Sequence, residues 1–444
     1  MRRVRVRFID TRPLRCSRPF RHLWIGTSVS QLGGQVANVA VLAQVWDLTG
    51  SPVATGAIGL ATGLPAVLFG LLGGTLADTV DRRVVMRATT AGHLLAAAGL
   101  CAQALAGNRN VLSLLALVAL ASSCSALGVP ARRAFPVRLL PGDEVAAGLA
   151  LTNMSFQVAM LAGPALAGLI IACWDLPAAY GAQTVALVVS MLATIRLPVM
   201  RPEGTGAAGG RPRPKRGGWQ IVLRRPTLWG SMATDLSATL LAMPVALFPL
   251  VNDLRFGGDP QTLGLFLSAV AVGGITAGLL SGTVTSRRRA GLLQLSAAGV
   301  WGLALACFGL AGPLWMALGC LAVAGAADTV SVVTRSALVQ RETPDAYRGR
   351  VSSVEHVIGV AGPELGNFRG GLLASATSAS FSLVFGGLSA VLAIVVVSAA
   401  NAPLRTYRLP PAAGTPVAPG TDDAAAAAGP PVSDTALIDD LRRP

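Results

Sequence analysis

Apolar residues fill this chain in twelve long runs, each cut off by a short polar or charged stretch. The runs cover roughly 22–46, 53–77, 87–106, 111–130, 146–172, 178–197, 227–251, 262–283, 290–309, 313–334, 351–375 and 379–400. A helix needs about 20 apolar residues to cross the hydrocarbon core of a bilayer, so each run predicts one spanning helix. The turns at 107–110 and 310–313 are so short that the helices on either side must be antiparallel neighbours. The pattern predicts an all-α membrane protein with twelve transmembrane helices.

The two halves repeat. Gly163-Pro164-Ala165-Leu166-Ala167-Gly168 returns as Gly362-Pro363-Glu364-Leu365-Gly366, and Arg132 before Pro141 returns as Arg335 before Pro344. Gly74-Thr75-Leu76 returns as Gly282-Thr283-Val284. Landmarks in the same order and direction mean a duplicated six-helix bundle, with a substrate site expected between the copies. The organisation read from the sequence is an Arg-rich tail (1–21), a first bundle (22–197), a linker (198–225), a second bundle (226–400) and a disordered tail (401–444).

Charge sets the expected orientation. Of 36 Lys and Arg, 33 fall in the N-terminal tail, the even-numbered loops, the linker and the C-terminal tail. The opposite loops hold only Arg109 and Arg255, and Arg369 is inside the eleventh run. By the positive-inside rule both termini are expected on the cytoplasmic side of the cell membrane. The Arg-rich start followed by a long apolar run reads as an uncleaved signal anchor.

Composition narrows the function. The chain has 444 residues, 52% hydrophobic and 13% charged, with a mean hydropathy of +0.60. Soluble chains are about 25% charged. Its net charge of +15 is dispersed over short loops, so nucleic acid is not an expected partner. Membrane lipid and a small-molecule substrate are, and a monomer is expected. Fifty-one glycines include pairs at four-residue spacing, Gly59/Gly63, Gly70/Gly74 and Gly274/Gly278/Gly282, which suit close helix approach. The six cysteines form no CxxC pair and read as small apolar residues or free thiols. The one lysine, Lys215, lies in the linker, so a Walker A loop is absent. No enzyme motif, cofactor motif or metal cluster stands out.

The loop after the second run reads Gly74-Thr75-Leu76-Ala77-Asp78-Thr79-Val80-Asp81-Arg82-Arg83. It resembles the signature loop of the major facilitator superfamily, Gly-x-x-x-Asp-Arg-x-Gly-Arg-Arg, at Gly74, Asp78, Arg82 and Arg83. Thr79 and Asp81 depart from the usual Arg and Gly. The resemblance implies the major facilitator fold and a cytoplasmic latch, in which a carboxylate and two guanidiniums make and break charge-assisted contacts. Arg348-Gly349-Arg350-Val351, Phe248-Pro249-Leu250 and Leu263-Gly264-Leu265-Phe266-Leu267 are similar to the enterobactin-exporter branch. That branch implies export, proton-driven, of a siderophore or similar metabolite. Look-alike relatives export drugs such as macrolides. Many proton/drug antiporters carry an Arg inside the fourth span, whereas 111–131 is uncharged here.

Ionisable groups inside spans are candidates for function because they are costly there. They are Asp235, Asp328, Glu364 and Arg369. Glu364 lies 13 residues into its run, roughly 20 Å by helix rise, directly after a helix-perturbing Gly-Pro. It is either the proton- or substrate-binding group or a carboxylate paired within the bundle. Arg369 either meets an anionic substrate or snorkels outward. Asp328 and Arg335 share one face of the tenth span, and Arg132 and Arg335 read as gate or anchor residues. Ser28, Gln31, Gln35 and Asn38 form one polar stripe on the first span, and Asn153 with Gln157 repeats it on the fifth. A stripe of amides cannot face lipid, so it lines a wet cavity or bonds another helix. His356, beside Glu355, is a relay or a boundary histidine. Siderophore-type export is the leading expectation. Multidrug efflux, nutrient import and a non-transporting scaffold are the alternatives.

Overall fold

The computed structural model describes residues 11–142, 144–195, 197–200, 218–279, 289–343 and 347–408. In chain order the helices are α1 (Arg12–Cys16), α2 (Arg18–Thr49), α3 (Pro52–Thr79), α4 (Arg82–Leu105), α5 (Val111–Leu139), α6 (Val145–Ile195), α7 (Gly218–Arg224), α8 (Pro226–Ala242) and α9 (Phe248–Phe256). They continue with α10 (Pro260–Leu279), α11 (Ala290–Leu310), α12 (Leu314–Glu342), α13 (Arg348–Ala376), α14 (Ala379–Ala400) and α15 (Ala402–Thr406). Among the described residues nine helical segments are long and apolar enough to cross a membrane. The 51-residue α6 supplies two crossings, since Asp175 breaks it at φ 69°. α2, with 32 residues, and α13, with 29, are long enough to cross as well but more polar.

The ends follow from local chemistry. Gly50 closes α2 in the left-handed region, its N–H donating to Trp46 O at 2.7 Å, and Pro52 starts α3 two residues on. Asp81 caps α4, its carboxylate accepting from Arg83 N at 2.9 Å and from Met200 N at 3.2 Å. Large apolar side chains such as Leu95, Leu192, Leu279 and Val395 are exposed, as lipid-facing residues must be and water-facing ones rarely are.

The seventh crossing is discontinuous. Pro244 has no N–H to give, and α8 stops at Ala242 before a 3-10 turn at Val245–Leu247 and α9. Arg369 of α13 donates to Leu240 O at 3.0 Å and to Leu241 O, satisfying carbonyls that the break frees. Asn367 Oδ1 accepts from Ala246 N at 3.1 Å, and Thr55 of α3 donates to Ala246 O at 2.8 Å. A broken helix in lipid persists only where neighbours restore its backbone bonds, and α13 and α3 do so here.

The repeat is visible in packing. Gly163 of α6 packs on Gln35 of α2, and its counterpart Gly362 of α13 packs on Thr239 of α8. Each of these helices also crosses to the other half, α6 onto α10 and α13 onto α3. Gly168 meets Pro260 and Gln261, and Gly371 meets Pro52. The approaches of Gly371 to Pro52 and of Gly168 to Pro260 lie toward the end away from the Arg-rich loops. A Cβ at Gly168 would stand 2.7 Å from Pro260 O. Gly168→Val is therefore expected to cost roughly 1–3 kcal/mol by overpacking, read as a lower melting temperature of the purified protein. An unchanged melting temperature would contradict so tight a crossing.

Two segments differ from the sequence reading. The linker 198–225 carries a helix, α7, whose Ile221 and Val222 are buried. The tail after residue 400 begins with α15, which docks through Asn401 Nδ2 on Pro226 O at 2.6 Å and through Tyr407 O, which accepts from Gly291 N at 3.4 Å. Burial, then the adjacent Glu342 carboxylate, pushes the Tyr407 hydroxyl up to about 12. The rest of that tail lies outside the described residues.

Candidate functional site

A cavity of about 810 Å³ lies within the first half, not between the two halves where the repeat predicts a substrate site, and every lining residue comes from α2 to α6. It spans from Phe20 and Pro136 near the Arg-rich end to Val41, Leu100 and Val118 deeper in. The stripe predicted on the first span faces it through Gln31, Gln35 and Asn38. Asn38 Nδ2 donates to Gln35 Oε1 at 3.3 Å, and Gln35 Nε2 lies 2.9 Å from Met160 Sδ. Ser28 is not in the lining; its hydroxyl donates to Trp24 O at 2.7 Å. On the fifth span Thr152 and Phe156 line the cavity, while Asn153 is exposed and Gln157 half-buried, one position round from them.

Two arginines, Arg132 and Arg133, also line the wall. The sequence reading ended the fourth span at residue 130, but α5 runs on to Leu139, so Arg132 is inside the helix. Its guanidinium donates to Ser125 O at 2.8 Å and to Ser125 Oγ at 3.4 Å. Opposite it, Gln183 Nε2 stands 3.4 Å from His93 Nε2.

The second half is arranged differently. Arg335 of α12, the repeat counterpart of Arg132, is buried and ion-paired to Asp235 of α8, and its Nε lies 3.5 Å from Glu355 Oε1 of α13. Ser336 Oγ donates to the same Glu355 oxygen at 3.3 Å. The sequence grouped Arg335 with Asp328 on one helix face, but its ion-pair partners are on two other helices. Asp328 keeps surface exposure but lies within electrostatic range of both Arg335 and Asp235. Glu355 was noticed only as a neighbour of His356; nothing in a single sequence links positions 235, 335 and 355.

Glu364 lies outside the cavity lining. Its side chain rests in a notch on α3, where a Cβ at Gly63 would stand 2.6 Å from Glu364 Cβ and one at Gly59 would stand 3.0 Å from Glu364 Oε2. Thr62 and Asn367 hydrogen-bond the carboxyl group. Thr62 also lines the cavity, so one residue separates the carboxylate from it. Arg369, five residues on, is engaged with the end of α8 as above. Of the loop motif, Arg82 N donates to Met200 O at 3.2 Å and Arg83 reaches Leu197 O at 3.5 Å. Gly74 and Asp78 lie outside the residues whose side chains are described.

Apolar spanning helices, a two-fold repeat and a cavity lined by amides and arginines fit a membrane transporter of the major facilitator type. A family model described as transmembrane secretion effector matches residues 11–412, and the chain belongs to that family. It is a transporter and not an enzyme. Relatives named enterobactin exporter EntS, from Shigella boydii serotype 18 and Citrobacter koseri, are 26% identical over 394 and 407 residues. Those matches cover 85% and 88% of this chain and 92% and 94% of the relatives. Among solved structures, nucleoside transporter NupG matches with a TM-score of 0.66 at 13% identity, covering 88% of this chain and 99% of that one. A bacterial homologue of the human lysosomal transporter Spinster, inward-facing and unoccupied, matches at 0.67 and 16% identity, covering 89% and 98%. At those identities the likeness is one of fold.

Proposed function

We propose that this chain is a secondary active exporter that moves a siderophore or similar secondary metabolite out across the cytoplasmic membrane. It works as a monomer by alternating access, driven by a proton gradient, with both termini in the cytoplasm. The observation that carries this reading is the polar cavity of about 810 Å³ beside halves that approach most closely at the Arg-poor end. With the Arg-rich end cytoplasmic, this arrangement supports reading the molecule as an exporter that loads from the cytoplasm. The bundles 22–197 and 226–400 then rock about the α3–α13 and α6–α10 crossings, and the loop at Gly74, Asp78, Arg82 and Arg83 latches the opposite state. The siderophore assignment draws on the relatives named as enterobactin exporters.

Macrolide-type drug efflux is the second reading, favoured by Phe20, Trp24 and Phe156 on the cavity wall. Everted vesicles energised by a proton gradient separate the two. Uncoupler-sensitive accumulation of a catecholate or hydroxamate siderophore supports the first reading. Accumulation of a macrolide alone replaces it with the second.

A further inference from the structure

We infer that the cavity binds an organic anion that also carries hydroxyl or amide donors, with Arg132 and Arg133 as its anion-binding groups. This rests on the reading of the chain as a transporter that loads in this cavity.

The first observation is charge. The lining holds Arg132 and Arg133 and no Asp or Glu. Among the described residues neither arginine has a carboxylate within ion-pair distance, and Arg132 bonds only Ser125 of its own helix. Arg132 is half-buried and Arg133 exposed at the cavity wall, and a guanidinium in a partly dehydrated site without a counter-charge is stabilised by an anion that enters.

The second observation is the repeat. At the equivalent position Arg335 is neutralised by Asp235 and Glu355. The same scaffold thus silences one arginine of the pair with two carboxylates and leaves the other open to the cavity.

The third is a pair of orphan acceptors. Gln31 Oε1 and Gln183 Oε1 are buried without a hydrogen-bond partner, and both residues line the cavity. Gln183 is 4% exposed. Both amides face the cavity, so a ligand that brings O–H or N–H groups as well as negative charge is favoured over one that brings charge alone. Guanidinium geometry suits a planar carboxylate or a similar oxyanion, which it can hold through two bonds.

The test is equilibrium binding to the purified full chain in lipid nanodiscs. The probes are salicyloylglycine, which has a carboxylate, a phenol and an amide N–H, and its neutral carboxamide. The wild type is expected to prefer the acid. Arg132→Gln should weaken the acid roughly 10- to 100-fold, the size of one lost charge-assisted bond, and leave the carboxamide unchanged. Arg132→Lys should restore part of the preference. Should Arg132→Gln not fold, the wild-type preference itself must shrink as salt is raised. Equal binding of both probes by the wild type, or an Arg132→Gln variant that keeps the preference, overturns the inference. Vesicle efflux separates it from the exporter reading. An acid bound through Arg132 but never moved leaves the site standing and removes export. A wild type that binds acid and carboxamide equally and moves a macrolide removes the anion site and leaves efflux.

Discussion

Glu364→Gln is expected to yield a folded, membrane-inserted protein that has lost gradient-driven export. The argument is positional. Glu364 follows Gly362-Pro363 on α13 and seats its side chain in the Gly59/Gly63 notch of α3, across the interface between halves. Asn367 bonds its carboxyl group and also Ala246 N, and Thr55 bonds Ala246 O, so α3, α13 and the broken seventh span meet around it. A proton gained or lost there changes the contact that must loosen when the halves rock. Gln keeps the volume and can still bond Thr62 and Asn367, but it cannot exchange a proton. Packing should therefore survive while the link between gradient and conformation is cut. Uncoupler-sensitive efflux should fall to the background of vesicles without the transporter. Substrate binding should persist, because the side chain is not on the cavity wall. Efflux at the wild-type rate would show that Glu364 is only a packing carboxylate.

The fold was legible because lipid simplifies the code. Every backbone group must be satisfied inside the segment, so an apolar run of sufficient length can only be a helix, and the repeat then fixed two bundles. Helix ends were less legible. The apolar pattern stops near residues 130 and 334, yet α5 continues to Leu139 and α12 to Glu342. Hydropathy registers where lipid ends, whereas a helix goes on adding one hydrogen bond per residue. The break in the seventh span had a signal, Pro244, which the apolar run 227–251 concealed. Glycine spacing was a partial guide. Gly59 and Gly63 seat Glu364 and Gly274 meets Thr329, but Gly278 faces open space. The polar stripe of α2 could be placed on one face from its spacing alone. Partners could not be. Arg369 bonds carbonyls almost 130 positions earlier, and Arg335 meets Asp235 and Glu355 from two other helices. Such pairings belong to tertiary packing and leave no periodicity behind.

Removal of Arg335 should have the largest effect on stability of any single substitution in the second half. Arg335 and Asp235 are 7% and 6% exposed, and Glu355 Oε1 lies 3.5 Å from the same guanidinium. Arg335→Leu would leave two carboxylates on α8 and α13 facing each other without a cation. Stripping one partner from a buried ion pair costs about 3–5 kcal/mol, most of it from the charge left behind. That is a large part of the stability of an ordinary domain, so Arg335→Leu is expected to give little detergent-soluble, monodisperse protein and a sharply lower melting temperature. The charge argument makes a second, opposite demand. Asp235→Asn combined with Arg335→Gln removes the buried pair's charges, leaves only the less buried Glu355, and should recover part of the lost stability. If Arg335 instead acted by volume alone, Arg335→Leu would be mild and the double variant no better. Melting curves of the three proteins in one detergent decide between these. The same comparison bears on the first half: Arg132→Leu removes a cation that has no carboxylate beside it and should be tolerated far better than Arg335→Leu, although the two positions are equivalent by the repeat.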